Sequence, residues 1–403
     1  MPDRAAMIRD GAGSLIVLGR QNVTFHLCGS RGWIIESIMS LPGGPVLVLG
    51  AGATKACAGP MTNEILWEAD ESAVTIERED YLALLDQFLQ EVFRMPSRGM
   101  REKWSYPGLP LLMSLIDAAI DRGQPLHMNY PVQRLREVRA ALEYMIFAVL
   151  EYKLRGPMPS VHDDALNVLF GPGIEPRVLS LNYDIIADNV IARRTGDKFP
   201  DYCCDIQTDT YKGFGKYGKL LKLHGSLNWL YCPNCHRLDV AVSRSGWGFS
   251  KALESLYMSE GGSSNDLDQR YTCHGSPCKN CGTFVRPVMI TPTQKKDYRN
   301  PHIAQVWYKA EELLRSASSV VFVGYSMPAD DVEVVYLMKR GLEHLPAHEI
   351  TVVEYDSQNR PVTQHEVGQR YQSVFGAGIQ WHTCGFAGWI TEKQGGLGAC
   401  GGA

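Results

Sequence analysis

No run of apolar residues in this 403-residue chain approaches the ~20 needed to span a bilayer as a helix. A secretory leader is not expected either, because Ser14-Leu15-Ile16-Val17-Leu18-Gly19 is too short an apolar core. Positive charge is not in excess: 40 Lys and Arg against 44 Asp and Glu leave a formal net charge of −4. That balance argues against a chain built mainly to bind nucleic acid, though not against a local basic patch. No internal repeat is present. The expectation is a cytoplasmic globular protein with no membrane contact, long enough for two or three domains or for one large α/β domain with insertions. In a reducing compartment the 11 cysteines do not read as a disulfide framework. Paired at short spacing, they point to metal.

A third glycine is also lacking where it would matter. Val46-Leu47-Val48-Leu49 reads as a short buried strand, and Gly50-Ala51-Gly52-Ala53-Thr54 follows it directly. Two glycines one residue apart suit a backbone that bends at a strand end and lets a phosphate approach. A full dinucleotide fingerprint wants another glycine at position 55, where this chain has Lys55. Gly11-Ala12-Gly13-Ser14 repeats the letters but precedes an apolar run instead of following one, and is discounted. The loop gains weight from partners far downstream: Asn182-Tyr183-Asp184, His224-Gly225 and Gly324-Tyr325-Ser326 each close a short apolar strand. Singly, each has a plain structural explanation as a turn or a satisfied loop histidine. In an open parallel sheet, however, ligands bind beyond the carboxyl ends of the strands. Four such ends carrying Gly, Asn, Asp and His imply one shared site.

The rest of the chain frames that edge. Residues 1–40 read as an N-terminal arm, and Lys55 to Leu66 as the opening of a helix. A helical insertion over about 80–170 contains Tyr81 to Phe93, Leu109 to Ile120 and Val132 to Leu154. The last carries Leu135, Val138, Leu142, Met145, Ile146 and Val149 at spacings of three and four, a core face. Strands at 177–181, 220–223, 287–290, 320–323 and 350–353, with helices at 303–314 and 332–342, predict a Rossmann-like parallel sheet covered on both faces. That core domain spans 41–229 and 285–394. A glycine-rich tail, 395–403, reads as flexible.

Between the two parts of the core lies a module at 230–284. Cys232-Pro233-Asn234-Cys235 and Cys278-Lys279-Asn280-Cys281 are two C-x-x-C knuckles, the spacing that presents four thiolates to a tetrahedral Zn2+. Cys273 is a spare candidate ligand, and a redox dithiol is the weaker alternative because the knuckles come as a pair. The 42 residues between the knuckles include an inserted loop, Ser243 to Asp268. Four thiolates fill the metal's coordination, so the ion is expected to be structural.

In order and kind these motifs resemble the SIR2 (sirtuin) superfamily, a Rossmann-type NAD fold with a small Zn-ribbon module, over roughly residues 45–390. The family's Gly-Ala-Gly loop resembles Gly50-Ala51-Gly52-Ala53-Thr54, its Asn-x-Asp resembles Asn182-Tyr183-Asp184, and its catalytic His-Gly resembles His224-Gly225. The ribose loop resembles Gly324-Tyr325-Ser326, and the strand end that reaches adenosine resembles Val353-Glu354-Tyr355. Two departures matter. Where deacylases have Pro-Asp-Phe-Arg after the glycine loop, this chain has Ala56-Cys57-Ala58-Gly59-Pro60-Met61-Thr62. Where they have Phe-Gly-Glu after the Zn module, it has Val288-Met289-Ile290-Thr291-Pro292-Thr293. Keeping the NAD-holding motifs while lacking the acyl-peptide motifs is similar to bacterial SIR2-like proteins of anti-phage defence, which destroy NAD+.

The resemblance therefore implies an NAD+ glycohydrolase. His224 would accept a proton, Asn182 would position a ribose hydroxyl or water, and Asp184 would orient the nicotinamide side or fix Asn182. The backbone of Gly50 to Thr54 would hold the pyrophosphate, and Ser326 and Glu354 would bond the adenosine ribose. It further implies gating by homo-oligomerisation or by a partner such as a HerA-type ATPase. The alternatives are an NAD-dependent deacylase or ADP-ribosyltransferase, and a non-catalytic NAD or ADP-ribose sensing subunit.

Overall fold

The structure is a computed structural model that describes residues 43–71, 79–154, 160–171, 173–195, 199–207, 215–240, 277–293, 296 and 298–395, together with four strands inside 6–37. Those four are β1 (Ala6–Arg9), β2 (Leu15–Leu18), β3 (Val23–Leu27) and β4 (Trp33–Ser37), which pair in sequence order as an antiparallel sheet. The stretch expected as an arm thus contains regular structure. The discounted Gly11-Ala12-Gly13-Ser14, the interval Ser243 to Asp268, Cys273 and the tail after Gly395 lie outside the described residues.

The core sheet takes β5 (Val46–Leu49), β6 (Arg177–Ser180), β7 (Phe199–Asp201) and β8 (Lys216–Lys222). After the intervening module, which holds β9 (Gly225–Tyr231), β10 (Leu238–Val240) and β11 (Arg286–Met289), it takes β12 (Val320–Val323), β13 (Ile350–Val353) and β14 (Gln380–His382). The spatial order is β14-β13-β12-β5-β6-β8-β7, and every pairing is parallel. This is the expected α/β, Rossmann-like architecture. Every residue of β5, β12 and β13 is buried, which is why these strands read as unbroken apolar runs: both faces are covered by helices. From β5 the chain builds outward through β6, and β12 later returns to the other side of β5. The strand order therefore reverses between β5 and β12, the switch point at which open α/β sheets bind ligands.

The helices are α1 (Ala51–Lys55), α2 (Ile65–Glu71), α3 (Glu79–Phe93), α4 (Leu109–Arg122), α5 (Val132–Lys153), α6 (Val161–Phe170), α7 (Ile186–Thr195), α8 (Pro301–Arg315), α9 (Val332–Gly341), α10 (Glu366–Phe375) and α11 (Gly385–Gly395). In the helical block, α5 packs against α2, α3 and α4. Its expected stripe from Leu135 to Val149 is fully buried. Asn300 caps α8, its side chain accepting the His302 and Ile303 amides.

Two expectations are corrected. The helix expected over Lys55 to Leu66 ends where it was to begin. Ala58 turns left-handed at φ 63°, and Gly59-Pro60 cannot propagate a helix, so the chain passes through a 3-10 turn at Thr62–Glu64 and α-helix resumes at Ile65. The strand expected at 287–290 is β11, and it lies outside the parallel sheet. It pairs antiparallel with β9, which also carries β10 on its other side. The cysteine-bearing sheet thus runs from Gly225 to Met289, wider than the expected 230–284. No helix among the described residues is long and apolar enough to cross a membrane.

Candidate active site and metal centre

The four expected strand ends converge. Gly50, Ala51 and Thr54 after β5, Asn182 and Asp184 after β6, His224 after β8 and Gly324, Tyr325 and Ser326 after β12 line one cavity of about 470 Å3. Glu354, after β13, lines it too, so five parallel strands contribute. Gly52 and Ala53 stand behind the wall. The volume falls in the range typical of small-molecule sites.

The glycines serve loop contact first. A Cβ on Gly50 would lie 2.5 Å from the Gly324 oxygen, and one on Gly52 would lie 2.6 Å from the Gly324 Cα. Gly324 itself has φ 61°, in the left-handed region that favours glycine. The loops are stitched by the Gly52 amide, which donates to the Gly324 carbonyl at 2.8 Å. The Gly50 amide donates to Val323 and the Ala53 amide to Gly50. Three of the amides expected to cradle a pyrophosphate are therefore engaged within the chain.

Behind the loop runs a chain of buried polar contacts. The Thr54 hydroxyl, 3% exposed, donates to Asp184 Oδ2 at 2.5 Å. It accepts from Asn182 Nδ2 at 2.9 Å, and the same Nδ2 donates to the Gly50 carbonyl at 2.8 Å. Asp184 Oδ1 accepts the Ile186 amide at 3.0 Å at the start of α7, and the buried Lys222 ammonium donates to the Asp184 carbonyl. Both carboxylate oxygens of Asp184 are thus engaged in fixing Thr54 and the start of α7. Of its two expected roles, the one that fits is holding Asn182, through Thr54. With Nδ2 tethered twice, Asn182 offers Oδ1 as its unengaged atom.

His224 stands in the same cavity wall with one ring nitrogen engaged and the other not. Nδ1 lies 3.1 Å from the Leu181 carbonyl, an oxygen that can only accept, so Nδ1 carries the proton and Nε2 the lone pair. Nε2 has no hydrogen-bond partner among the described residues. Burial holds the imidazole below its ordinary value, against the opposing pull of Asp331, so the neutral form is favoured. A fixed, neutral imidazole with an open nitrogen on a cavity can take a proton. Elsewhere in the lining, burial raises the Glu354 carboxyl, whose Oε1 accepts the Tyr355 amide.

Two cavity residues were not signalled by the sequence. Asp331 Oδ1 lies 4.0 Å from His224 Nε2, and Lys296 forms a close ion pair with Asp331. An Asp directly before a helix reads as an N-cap, which hides any other role. Tyr325, expected to contribute to ribose binding, turns its hydroxyl inward to Asp331 Oδ2 at 2.9 Å.

The metal centre is separate. The Cys232, Cys235, Cys278 and Cys281 sulfurs lie within 4.8 Å of one another, with Cys232–Cys281 at 3.4 Å and Cys235–Cys278 at 3.6 Å. Zn–S bonds of ~2.3 Å in a tetrahedron put sulfurs ~3.8 Å apart, so the four thiols fit that ion. Each knuckle closes alike: the amide four residues beyond the first Cys bonds back to that residue's carbonyl, at His236 and Gly282, both left-handed. The eight residues from His224 to Cys232 along extended β9 span roughly 25 Å. A metal held there would therefore be out of reach of the cavity.

No family model matches the chain, and no curated protein matches it. A solved structure described as the structural basis for the mechanism and regulation of Sir2 enzymes is 15% identical, with a TM-score of 0.39 over 87% of this chain and 90% of that one. A Sir2–p53 peptide–NAD+ complex is 12% identical, with a TM-score of 0.35 over 88% and 94%. Likeness at these scores carries no argument about activity.

Proposed function

We propose that this protein hydrolyses NAD+ to nicotinamide and ADP-ribose. The observation that carries the reading is His224: a buried imidazole, its neutral form favoured and its Nε2 unpartnered among the described residues, in the wall of the switch-point cavity that the tethered Asn182 also lines. Nicotinamide leaves NAD+ as a neutral molecule, so no strong general acid is needed. The charge to be stabilised is at the ribose C1′, in an oxocarbenium-like state. Asn182 Oδ1 would accept a hydrogen bond from the attacking water or a ribose hydroxyl, and His224 Nε2 would take the proton. Help of that kind contributes ~10²–10⁴-fold. Ser326 and Glu354, which also line the cavity, would hold the adenosine ribose. The departures at Ala56 to Thr62 and Val288 to Thr293 favour water over an acyl-lysine as acceptor. Free hydrolysis of cellular NAD+ has to be gated, and the reading includes control by self-association or by a separate ATPase partner of HerA type, in an anti-phage role.

The test is NAD+ loss by purified protein, alone and with a candidate partner, with products identified by mass. Nicotinamide plus ADP-ribose without a peptide acceptor is expected. His224→Ala and Asn182→Ala should abolish it while circular dichroism and zinc content stay unchanged. Undiminished turnover in both variants would sink the assignment, and tight binding of intact NAD+ would point to sensing instead.

A further inference from the structure

We infer that Asp331 and Lys296 form a charged pair that sets the basicity of His224, with Asp331 a positioning residue that serves as counter-ion to the imidazolium. This inference rests on the hydrolase reading and deepens it.

Three separate segments meet here: the turn after β8, the stretch beyond β11 and the turn before α9. Asp331 occupies the N-cap position of α9 yet makes no capping bond with its side chain. A carboxylate that forgoes an available cap and turns toward a histidine instead is held there by other contacts. Its residue is 4% exposed, Tyr325 donates to Oδ2 at 2.9 Å, and Lys296 pairs with Oδ1. The Lys296 side chain is itself 4% exposed and also reaches the Asp330 carbonyl at 3.3 Å. A buried ion pair is a poor device for stability alone, because desolvation of both charges offsets their attraction. Placed 4.0 Å from His224 Nε2, it has a chemical use.

In hydrolysis the C1′–N bond breaks, the water oxygen bonds C1′, nicotinamide departs neutral, and the water proton goes to Nε2. A cation is then created where water is scarce. Asp331 Oδ1 lies 4.0 Å from Nε2 and is paired with Lys296, so both charges of the pair stand beside the imidazole. The charged groups that act on His224 are Asp331, Asp330 and Lys296, beside the Leu181 carbonyl. The Tyr183 and Tyr298 hydroxyls also feel the Asp331 charge, and the Tyr183 hydroxyl donates to the Ile290 carbonyl at 2.6 Å. The two carboxylates favour the imidazolium, and Lys296 opposes it.

The two partners should therefore move His224 in opposite directions. Asp331→Asn shifts the acid limb of kcat to lower pH and lowers kcat on the order of tenfold, a part of what the whole base contributes. Lys296→Met shifts the same limb to higher pH. In parallel, the His224 imidazole is titrated by NMR in histidine-labelled protein, its resonance assigned by its loss in His224→Gln. Opposite displacements support the inference, and coincident titrations in wild type and both variants overturn it. If a single variant does not fold, the doubly neutral Asp331→Asn/Lys296→Met decides through kcat: a fall on the order of tenfold at constant KM supports the counter-ion, and an unchanged kcat overturns it. A wild-type protein that consumes no NAD+ refutes the hydrolase reading alone, since the NMR titration still reads the pair.

Discussion

Thr54→Val tests the polar chain behind the cavity most directly, because the substitution keeps shape and volume while removing one hydroxyl. Thr54 is 3% exposed, and its Oγ1 both donates to Asp184 and accepts from Asn182. In the variant, Asp184 Oδ2 faces a methyl group in place of a donor. Leaving a buried charged acceptor unsatisfied costs about 1.5–3 kcal/mol. The Asn182 amide loses one of its two anchors and keeps only the Gly50 carbonyl. Its Oδ1 is then free to swing away from the reacting carbon, and misplacement of about 1 Å can cost on the order of 10²-fold in rate. The expected result is a lower urea midpoint at unchanged slope, together with a fall in kcat for NAD+ larger than any rise in KM. Thr54→Ser, which restores the hydroxyl, should recover most of both. Stability within ~0.5 kcal/mol of wild type, with turnover intact, would refute the claim that Thr54 locks Asn182.

Chelation of the metal should release four titratable thiols and abolish NAD+ loss although no thiolate is near the cavity; full activity in the metal-free protein would show that the knuckles do not hold the site. Gly52→Ala separates two reasons for the glycine. If loop contact decides, the Cβ placed 2.6 Å from Gly324 lowers the melting temperature even without nucleotide, whereas a purely phosphate-cradling glycine would change only the KM for NAD+. Acid should destabilise the fold, because burial lowers His224 and pushes His162 down to about 4 from the usual 6.5. The unfolded chain then binds protons the folded one refuses, so stability is fully present above pH ~6.5 and falls as pH drops toward 4. A melting temperature constant over that window would contradict both burials.

The strand ends were legible because parallel strands buried on both faces have to be short apolar runs, and the residues that follow them cannot be. Val46–Leu49, Val320–Val323 and Ile350–Val353 were read to the residue on that signal. Pro287 to Ile290 gives the same local signal and belongs elsewhere, because nothing local says which strand will be the partner. Edge strands β7 and β14, three residues each, are too short to carry a pattern at all. Gly225 to Tyr231 escapes for another reason: His224-Gly225 reads as the end of the strand before it, and the cysteines that follow place the module's start only at residue 230. Asp331 was hidden because its sequence position already had a sufficient explanation, and only three-dimensional placement shows that the cap bond is unmade.

That misread stretch explains how the metal centre can matter to a cavity it never touches. Gly225, at φ 83°, packs so closely on β11 that a Cβ there would lie 1.9 Å from the Val288 carbonyl oxygen. Next to it the Ile290 amide donates to the His224 carbonyl at 2.8 Å. The near end of the β9–β11 pair thus fixes the backbone of His224. It also launches the segment that carries Lys296 into the cavity. At the far end the same two strands lead to the knuckles Cys232–Cys235 and Cys278–Cys281 respectively, where one ion would clamp both. The pairing of β9 with β11 shifts register between Pro287 and Val288, where the ladder has to accommodate an extra residue. An ion held by the four thiols would fix the far end of that ribbon, and through it the spacing of His224 and Lys296.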